Sequence, residues 1–274
     1  MDDNENMMGN LKKIGLDEMK AVILAGGLGT RISEETNLKP KPMIEIGGMP
    51  IIWHLMKIYS SFGINDFIIC LGYKGYVIKE YFANYFLHMS DVTIDLKDNS
   101  IEVHNRKAEP WKITLVDTGE NSLTGQRLKN VKGFLAKDES FCFTYGDGLS
   151  NVNINQLIKF HEKEGKLVTM TAVAPLNKYG AVDLEGNSVI RFVEKPENAN
   201  GLINGGFFVV SDKVFAAMND EDESWEHESL PKLAKNNQLS AYKHDGFWHA
   251  MDTLRDKNQL ELLWATEKPP WKSW

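Results

Sequence analysis

The sequence has 274 residues, of which 42% are hydrophobic and 25% are charged, a composition typical of a folded globular protein rather than a fibrous or disordered one. Its formal net charge of −7 argues against broad electrostatic attraction to nucleic acid or to an anionic membrane. An anionic ligand is therefore expected to be small and to bind in a local basic pocket.

Residues 1–18 are polar and lack the apolar block of a signal peptide, so we expect them to form an N-terminal extension. No apolar stretch of the sequence approaches the roughly 18 residues that a membrane span needs. The two cysteines, Cys70 and Cys142, lie in apolar runs, where cysteine usually packs as a small buried side chain. These features predict a cytoplasmic protein that does not depend on disulfides.

Apolar runs and amphipathic stretches alternate through the first part of the chain. In chain order, this pattern predicts strands at 20–25, 67–71, 113–116 and 141–145, and helices at 50–62, 76–87, 124–131 and 154–164. Such alternation predicts an α/β fold with a mainly parallel sheet that helices cover on both faces.

The pattern changes at Leu167, where short β-like runs separated by glycine and asparagine turns begin. A final helix is predicted at 253–266. We therefore expect a single domain over 19–274, with an α/β half at about 19–150 and a mixed β extension in the half at about 151–274.

The first predicted strand runs directly into the glycine-rich stretch LAGGLGTR at 24–31. In open α/β sheets ligands bind beyond the carboxyl ends of the strands, and glycines there let backbone N–H groups approach phosphate. The stretch does not match the dinucleotide-binding pattern, which would need a glycine at Ile32, and the chain has no P-loop pattern. The alternative interpretation is an ordinary surface turn.

A basic stretch, KPKPM at 39–43, follows the glycine-rich loop. Its prolines favour extended backbone at the lysines that precede them, so Lys39 and Lys41 are expected on one side of a stiff segment. Together with Arg31 they would place three cations near an anion site. Lysines between prolines are also common in solvated loops, which is the alternative.

The strand predicted at 141–145 leads into Gly-Asp-Gly, so Asp147 stands just past its carboxyl end. A carboxylate there suits Mg²⁺, which takes one or two carboxylates together with phosphate oxygens; a plain Asp-Gly turn is the alternative. Asp252 is the candidate partner, although it could equally be the N-cap of the last helix. A zinc site of Asp252 with His244 and His249 is disfavoured, because the spacing follows no known ligand run.

Six stretches occur together and in order within a match that runs from about residue 19 to residue 274: LAGGLGTR, KPKPM, FTYGDG, FVEKP, NGGFFV and FWHAMDTLRD. In this combination the chain resembles the sugar-nucleotide pyrophosphorylases, which are nucleotidyltransferases with a Rossmann-like fold. The stretches KPKPMIEIGG, GYKGYVIKEYFANYF, LVDTGENSLTGQRL and EKPPWKSW are similar to those of the members that use CTP and glucose 1-phosphate.

The resemblance implies transfer of a cytidylyl group from CTP to α-D-glucose 1-phosphate with Mg²⁺, giving CDP-glucose and pyrophosphate and supplying CDP-linked deoxysugars for surface polysaccharide (O-antigen). It also implies a homo-oligomer. Direct in-line displacement needs no protein nucleophile, and the chain carries no Ser-His-Asp or Cys-His signature. The alternatives are another nucleotide (UTP or dTTP) or another sugar 1-phosphate, and a catalytically silent nucleotide-sensing subunit.

The resemblance assigns site residues position by position. Arg31, Lys41 and Asp147 would be catalytic, and Asp147 and Asp252 would hold the metal. The residues that would bind the nucleotide are Leu24, Ala25, Gly26, Gly27, Leu28, Gly29, Thr30 and Arg31 at its phosphates, Ser122, Thr124 and Arg127 bordering its base, and Gly146. Those that would bind the sugar phosphate are Glu194, Lys195, Asn204 and Gly205.

The remaining histidine and tryptophan residues are interpreted as structural. His54 is expected to be a packing or surface residue, and the tryptophans near the C-terminus are expected in the core or in a subunit contact. The C-terminal stretch PPWKSW, at 269–274, is too short and polar to form a core alone. It is expected to lie against another surface, such as a neighbouring subunit.

Overall fold

The computed structural model describes residues 19–27, 29, 32, 36, 39–104, 108–135, 139–174, 181–193, 201–219 and 222–274. The predicted extension at 1–18 lies outside the described residues. So do five of the predicted site residues: Leu28, Thr30, Arg31, Glu194 and Lys195.

Strands and helices follow the predicted order, and most of their ends fall within one or two residues of the prediction. The strands are β1 Lys20–Leu24, β2 Glu45–Ile46, β3 Met49–Pro50, β4 Asp66–Leu71, β5 Asp91–Asp95, β6 Ser100–His104, β7 Lys112–Asp117, β8 Ser140–Tyr145, β9 Gly148–Ser150, β10 Val168–Val173, β11 Ala181–Glu185, β12 Ser188–Val193, β13 Leu202–Ser211, β14 Leu239–His244 and β15 Trp248–Ala250. The α-helices are α1 Ile51–Ser60, α2 Gly75–Ala83, α3 Tyr85–His88, α4 Thr124–Asn130, α5 Ile154–Glu164, α6 Leu230–Lys235 and α7 Leu254–Trp264. Among the described residues, no helix is both long and apolar enough to cross a membrane.

Four parallel strands position the glycine-rich loop. Strand β1 pairs with β4 on one side and with β8 on the other, and β4 pairs with β7. The chain therefore moves outward from β1 through β4 and β7 and then returns to the opposite side of β1 at β8. The loop after β1 leaves the sheet where the strand order reverses, which is where open α/β sheets bind ligands.

The second half of the chain extends this sheet with mixed pairings. Strand β13 runs antiparallel to β8 and so joins the two parts. Strand β10 pairs with both β13 and β14. Strand β11 pairs with β13, strand β12 pairs with β14, and β11 and β12 pair with each other. The predicted α/β fold with a parallel part, flanking helices and a mixed β extension is confirmed.

Two apolar cores cover the two faces of the sheet. Alternate residues of β1 enter different cores, with Ala21 and Ile23 on one face and Val22 and Leu24 on the other, as the period of a strand requires. Helix α1 packs on the first face and helices α4 and α6 on the second. Cys70 and Cys142 are both buried free thiols, as predicted.

Two predictions in the first half were incomplete. The helix predicted at 76–87 divides into α2 and α3 at Asn84, whose backbone leaves the helical region (φ −98°, ψ 3°). The hairpin of β5 and β6 was missed, although DVTIDL at 91–96 alternates polar and apolar residues as a strand does. The hairpin stands away from the cores, and its Ile94, Leu96 and Ile101 are exposed.

The C-terminal stretch at 269–274 packs on helix α1 of its own chain, so it lies against another surface, as expected. Trp271 is fully buried, and its Nε1 donates to His54 Nδ1 at 3.4 Å. Nε2 of the same imidazole donates to the carbonyl of Ile46 at 2.8 Å. Burial lowers the pKa of His54 to about 4, so the ring is neutral and acts as a packing residue, as predicted.

We predict that Trp271→Ala lowers the free energy of unfolding by about 3–5 kcal/mol, because it removes a large side chain from a closed aromatic cluster. Urea unfolding measures this change. The matched control is Leu262→Ala, whose side chain is 72% exposed and which should change stability by less than about 0.5 kcal/mol. Equal midpoints for the two variants would contradict the packing assigned to the C-terminal stretch.

Candidate active site

A cleft of about 640 Å³ opens at the carboxyl ends of β1 and β8. Its floor is formed by residues 24–27 and 29 of the glycine-rich stretch and by 144–148, one wall by 120–124, 127, 224, 226 and 227, and the other wall by 204–207, 248, 250 and 252. The predicted site residues that line it are Leu24, Ala25, Gly26, Gly27, Gly29, Lys41, Ser122, Thr124, Arg127, Gly146, Asp147, Asn204, Gly205 and Asp252. The structure thus brings together all the predicted site residues that it describes.

The glycines at the floor have different reasons to be glycine. Gly29 has φ +64°, a left-handed backbone that other residues rarely adopt. A Cβ atom on Gly146 would lie 2.5 Å from the carbonyl oxygen of Leu24, so the end of β8 approaches the glycine-rich loop through its backbone. A Cβ atom on Gly27 would meet nothing within 4 Å, which leaves the backbone there open to the cleft.

Lys41 lines the cleft and stands between two carboxylates. Its Nζ lies 2.6 Å from Asp147 Oδ2 and 2.7 Å from Asp252 Oδ1, and its side chain is 12% exposed. Burial by itself lowers the pKa of Lys41, but the two aspartates outweigh it, so the pKa is raised above its usual value. The side chain is therefore an ammonium ion at neutral pH.

Backbone pairing explains why residues so distant in sequence meet here. Strands β9 and β15 pair antiparallel, with Gly148 opposite Ala250, and the N–H of Met251 donates to the carbonyl of Asp147 at 2.8 Å. Asp252 follows directly. The N-cap of α7 is Thr253, which forms a capping box with Asp256, so the alternative interpretation of Asp252 as the N-cap was wrong.

The two lysines of KPKPM do not lie on one side of an extended segment, so that prediction was wrong. Pro40 is extended, but a 3₁₀ turn begins at Lys41 and turns the chain. Lys39 forms an exposed ion pair with Glu45, whereas Lys41 enters the cleft. Arg31 lies outside the described residues. Of the three predicted cations, Arg31, Lys39 and Lys41, the structure therefore places Lys41 in the site.

Hydroxyl groups on the wall at 120–127 hold that wall together. Ser122 Oγ donates to the carbonyl of Thr118 at 2.6 Å. Thr124 Oγ1 donates to Glu226 Oε2 at 2.6 Å and accepts from the N–H of Trp225 at 2.8 Å. Arg127 is only 4% exposed, and it donates hydrogen bonds to the loops beside this wall.

The opposite wall is built around Asn204 and Gly205. Asn204 Nδ2 donates to the hydroxyl of Tyr145 at 3.1 Å, and its Oδ1 accepts from the N–H of Gly206 at 2.8 Å. The indole of Trp248 donates to the carbonyl of Gly205 at 2.6 Å. These bonds fix the backbone of β13 where it faces the cleft.

Several lining residues were not predicted as site residues, among them Tyr145, Glu226 and Trp248. Tyr145 ends a predicted strand immediately before Gly-Asp-Gly, so its position beside Asp147 was a usable signal. Glu226 lies in a π-helical turn at Trp225–Ser229, and turns of this type are frequent at functional sites, but the sequence shows no periodicity that reveals one.

The two histidines weighed as zinc ligands have other partners. His249 contacts the carbonyl of Ala250 and the side chain of Gln259, both at 3.0 Å, and His244 contacts Ser150 Oγ at 3.2 Å. Within the described ranges no group of three or more potential metal-ligating side chains was found. A zinc centre of His244, His249 and Asp252 receives no support from these contacts.

The glycine-rich loop lies where the strand order reverses, and it faces Lys41, which lies between two carboxylates. This arrangement is typical of α/β proteins that bind nucleotide phosphates. The chain belongs to the nucleotidyl transferase family, whose model matches residues 20–256. The family resemblance of the sequence motifs is thereby confirmed.

Relatives that match nearly the whole chain include two from different bacteria. The glucose-1-phosphate cytidylyltransferase of Salmonella typhi is 57% identical over 256 residues, which cover 93% of this chain and 100% of the relative. The probable glucose-1-phosphate cytidylyltransferase of Bacillus subtilis is 43% identical over 257 residues, with the same coverage. The crystal structure of HddC from Yersinia pseudotuberculosis shares the fold, with a TM-score of 0.71, 23% identity and coverage of 90% of this chain and 99% of that one.

Proposed function

We propose that this chain transfers a cytidylyl group from CTP to α-D-glucose 1-phosphate, giving CDP-glucose and pyrophosphate. Cytidylyltransferases that match nearly its full length, from Salmonella typhi and, as a probable one, Bacillus subtilis, support these substrates. The observation in the molecule that carries the proposal is Lys41, an ammonium group held by Asp147 and Asp252 at the floor of a cleft that the glycine-rich loop also lines. A triphosphate needs such a combination of backbone N–H groups and positive charge.

The two carboxylates fit a divalent cation. Asp147 Oδ2 and Asp252 Oδ1 both lie within 2.7 Å of the same Nζ, so they already converge on one positive centre. Mg²⁺ takes one or two carboxylates together with phosphate oxygens. We therefore assign Asp147 and Asp252 as its ligands; when bound, Mg²⁺ neutralises phosphate charge and orients the attacking and leaving oxygens.

Lys41 reduces the repulsion between the two reacting anions. Two unit charges at 4 Å repel each other by about 4 kcal/mol at an effective dielectric of 20, and each 1.4 kcal/mol is about tenfold in rate, so this screening is worth roughly a thousandfold. The sugar phosphate then attacks the α-phosphorus of CTP directly and pyrophosphate leaves. Arg31 is proposed to assist Lys41, and Asn204 and Gly205, with Glu194 and Lys195, are proposed to bind the sugar phosphate.

The test is pyrophosphate release from glucose 1-phosphate with CTP, UTP, dTTP, ATP or GTP, each with Mg²⁺ and with EDTA. We expect strong Mg²⁺-dependent release with CTP, and none without the sugar phosphate. Preference for another nucleotide would overturn the cytidylyl assignment and keep the reaction class. No release with any nucleotide would contradict transfer to glucose 1-phosphate altogether.

We also propose that the chain forms a homo-oligomer and works in the cytoplasm. Ile94, Leu96 and Ile101 support the first proposal, because these large apolar side chains of the β5–β6 hairpin are 55%, 89% and 56% exposed. Sedimentation equilibrium should show a mass greater than that of one chain. A monomer at micromolar concentration would contradict it.

A further inference from the structure

One side chain connects three loops at the cleft. The two terminal nitrogens of Arg127, on helix α4, donate five hydrogen bonds. The acceptors are the carbonyl of Gly26 in the glycine-rich loop (3.1 Å), the carbonyl of Leu71 at the end of β4 (3.0 Å) and, after β7, Thr118 Oγ1 (3.0 Å) and the carbonyls of Gly119 (2.7 Å) and Glu120 (3.0 Å). These loops follow three adjacent parallel strands.

The guanidinium also gives a steric reason for two glycines. A Cβ atom on Gly26 would lie 2.2 Å from Arg127 Nη1, and one on Gly72 would lie 2.4 Å from the same atom. The first glycine of LAGGLGTR therefore makes room for Arg127, whereas Gly27 leaves its backbone open to the cleft. The two loops close on the guanidinium from either side.

The hydrogen bonds of Arg127 go to neutral groups, while the carboxylates of Asp117 and Asp222 act on its charge without forming an ion pair. Among the described residues no carboxylate lies within 4.0 Å of its guanidinium, while four carbonyls and one hydroxyl accept its hydrogen bonds. A planar fork of donors can serve acceptors in three separate loops at once. A lysine would keep the charge but present its donors from a single point, so it could not hold all three loops.

We propose that Arg127 is a positioning residue for the nucleotide, which holds the glycine-rich loop, the end of β4 and the loop at 118–123 in the arrangement that binds CTP. It acts through these loops, whose backbone and side-chain acceptors it holds. The inference rests on the proposed function in one respect, namely that the ligand of the cleft is a nucleotide. The hydrogen bonds that connect the three loops through Arg127 are present in the free protein.

The test combines Arg127→Lys with two measurements. Hydrogen exchange of the nucleotide-free protein should rise together in the segments at 70–75 and 118–123. Calorimetric titration with CTP and Mg²⁺, without sugar phosphate, should show at least about a tenfold weaker affinity. In turnover, the KM for CTP should rise by a similar factor while kcat and the KM for glucose 1-phosphate stay within about threefold. Lys129→Met, which removes an exposed cation from the same helix, is the matched control.

Each other outcome overturns the proposal. Weaker CTP binding with unchanged loop exchange would show a direct contact instead. Unchanged affinity for CTP would show that the hydrogen bonds of Arg127 to the three loops do not affect nucleotide binding. If Arg127→Lys does not fold, Gly72→Ala tests the same point, because the added Cβ atom displaces the guanidinium of Arg127. Its control is Gly133→Ala, where the added Cβ atom has nothing within 4 Å. Failure of the wild-type protein to bind any nucleotide would refute the proposed function. The hydrogen-exchange result would still show whether Arg127 holds the loops in place.

Discussion

Replacing Lys41 by alanine is expected to lower kcat by about a hundred- to a thousandfold while the protein stays folded. The change removes the ammonium group that we propose to screen the approach of the sugar phosphate to the α-phosphorus. It also leaves Asp147 and Asp252 facing each other without the cation that now lies between them. Steady-state pyrophosphate release measures the rate, and circular dichroism checks the fold.

The chain supplies a matched control for this variant two residues away. Lys39 carries the same charge in the same KPKPM stretch, but it pairs with Glu45 at the surface. Exposed ion pairs contribute little to stability, so Lys39→Ala should behave like the wild-type protein in both rate and unfolding. A folded Lys41→Ala variant with the wild-type rate would remove Lys41 from the site.

Replacing Asp147 by asparagine is expected to lower kcat by at least about a hundredfold at a given Mg²⁺ concentration and to raise the Mg²⁺ concentration needed for half-maximal rate. Asparagine keeps the size of the side chain and removes its charge, so the change tests the carboxylate itself. Asp252→Asn should have the same effect, since the two oxygens converge on one point. Activity as a function of Mg²⁺ measures both quantities.

The control for the aspartate variants is Asp66→Asn, which removes a carboxylate that pairs with Lys112 at the far end of β4. Its Mg²⁺ dependence should equal that of the wild-type protein. If Asp147→Asn and Asp66→Asn gave the same Mg²⁺ curve, the metal assignment would be wrong.

Local pattern was enough to predict the part of the fold that positions the site. Strand β1 is a continuous apolar run because both of its faces are buried, and such runs are readable without an alignment. The glycine-rich loop and Gly-Asp-Gly both follow apolar strands, so their meeting at one edge of a parallel sheet was predictable. The family resemblance then supplied the roles of the wall residues.

Contacts between segments distant in sequence could not be predicted. Thr124 contacts Glu226 across 102 residues, and Arg127 contacts Gly26 across 101. No local periodicity encodes either pair, because each depends on how separate loops fold onto one another. The same limit explains the error at KPKPM: proline restricts its own φ and the preceding residue, but the 3₁₀ turn at Lys41 is set by the surrounding fold.

Stereochemistry at the α-phosphorus tests the central claim most directly, because direct transfer and a covalent enzyme intermediate give opposite results. The substrate is a single diastereomer of CTP carrying sulfur on its α-phosphorus, used with glucose 1-phosphate and Mg²⁺, and the configuration of the product is read by phosphorus NMR. One in-line displacement positioned by Lys41, Asp147 and Asp252 predicts inversion. Retention would require two successive displacements and hence a protein nucleophile, which would contradict the mechanism proposed for this site.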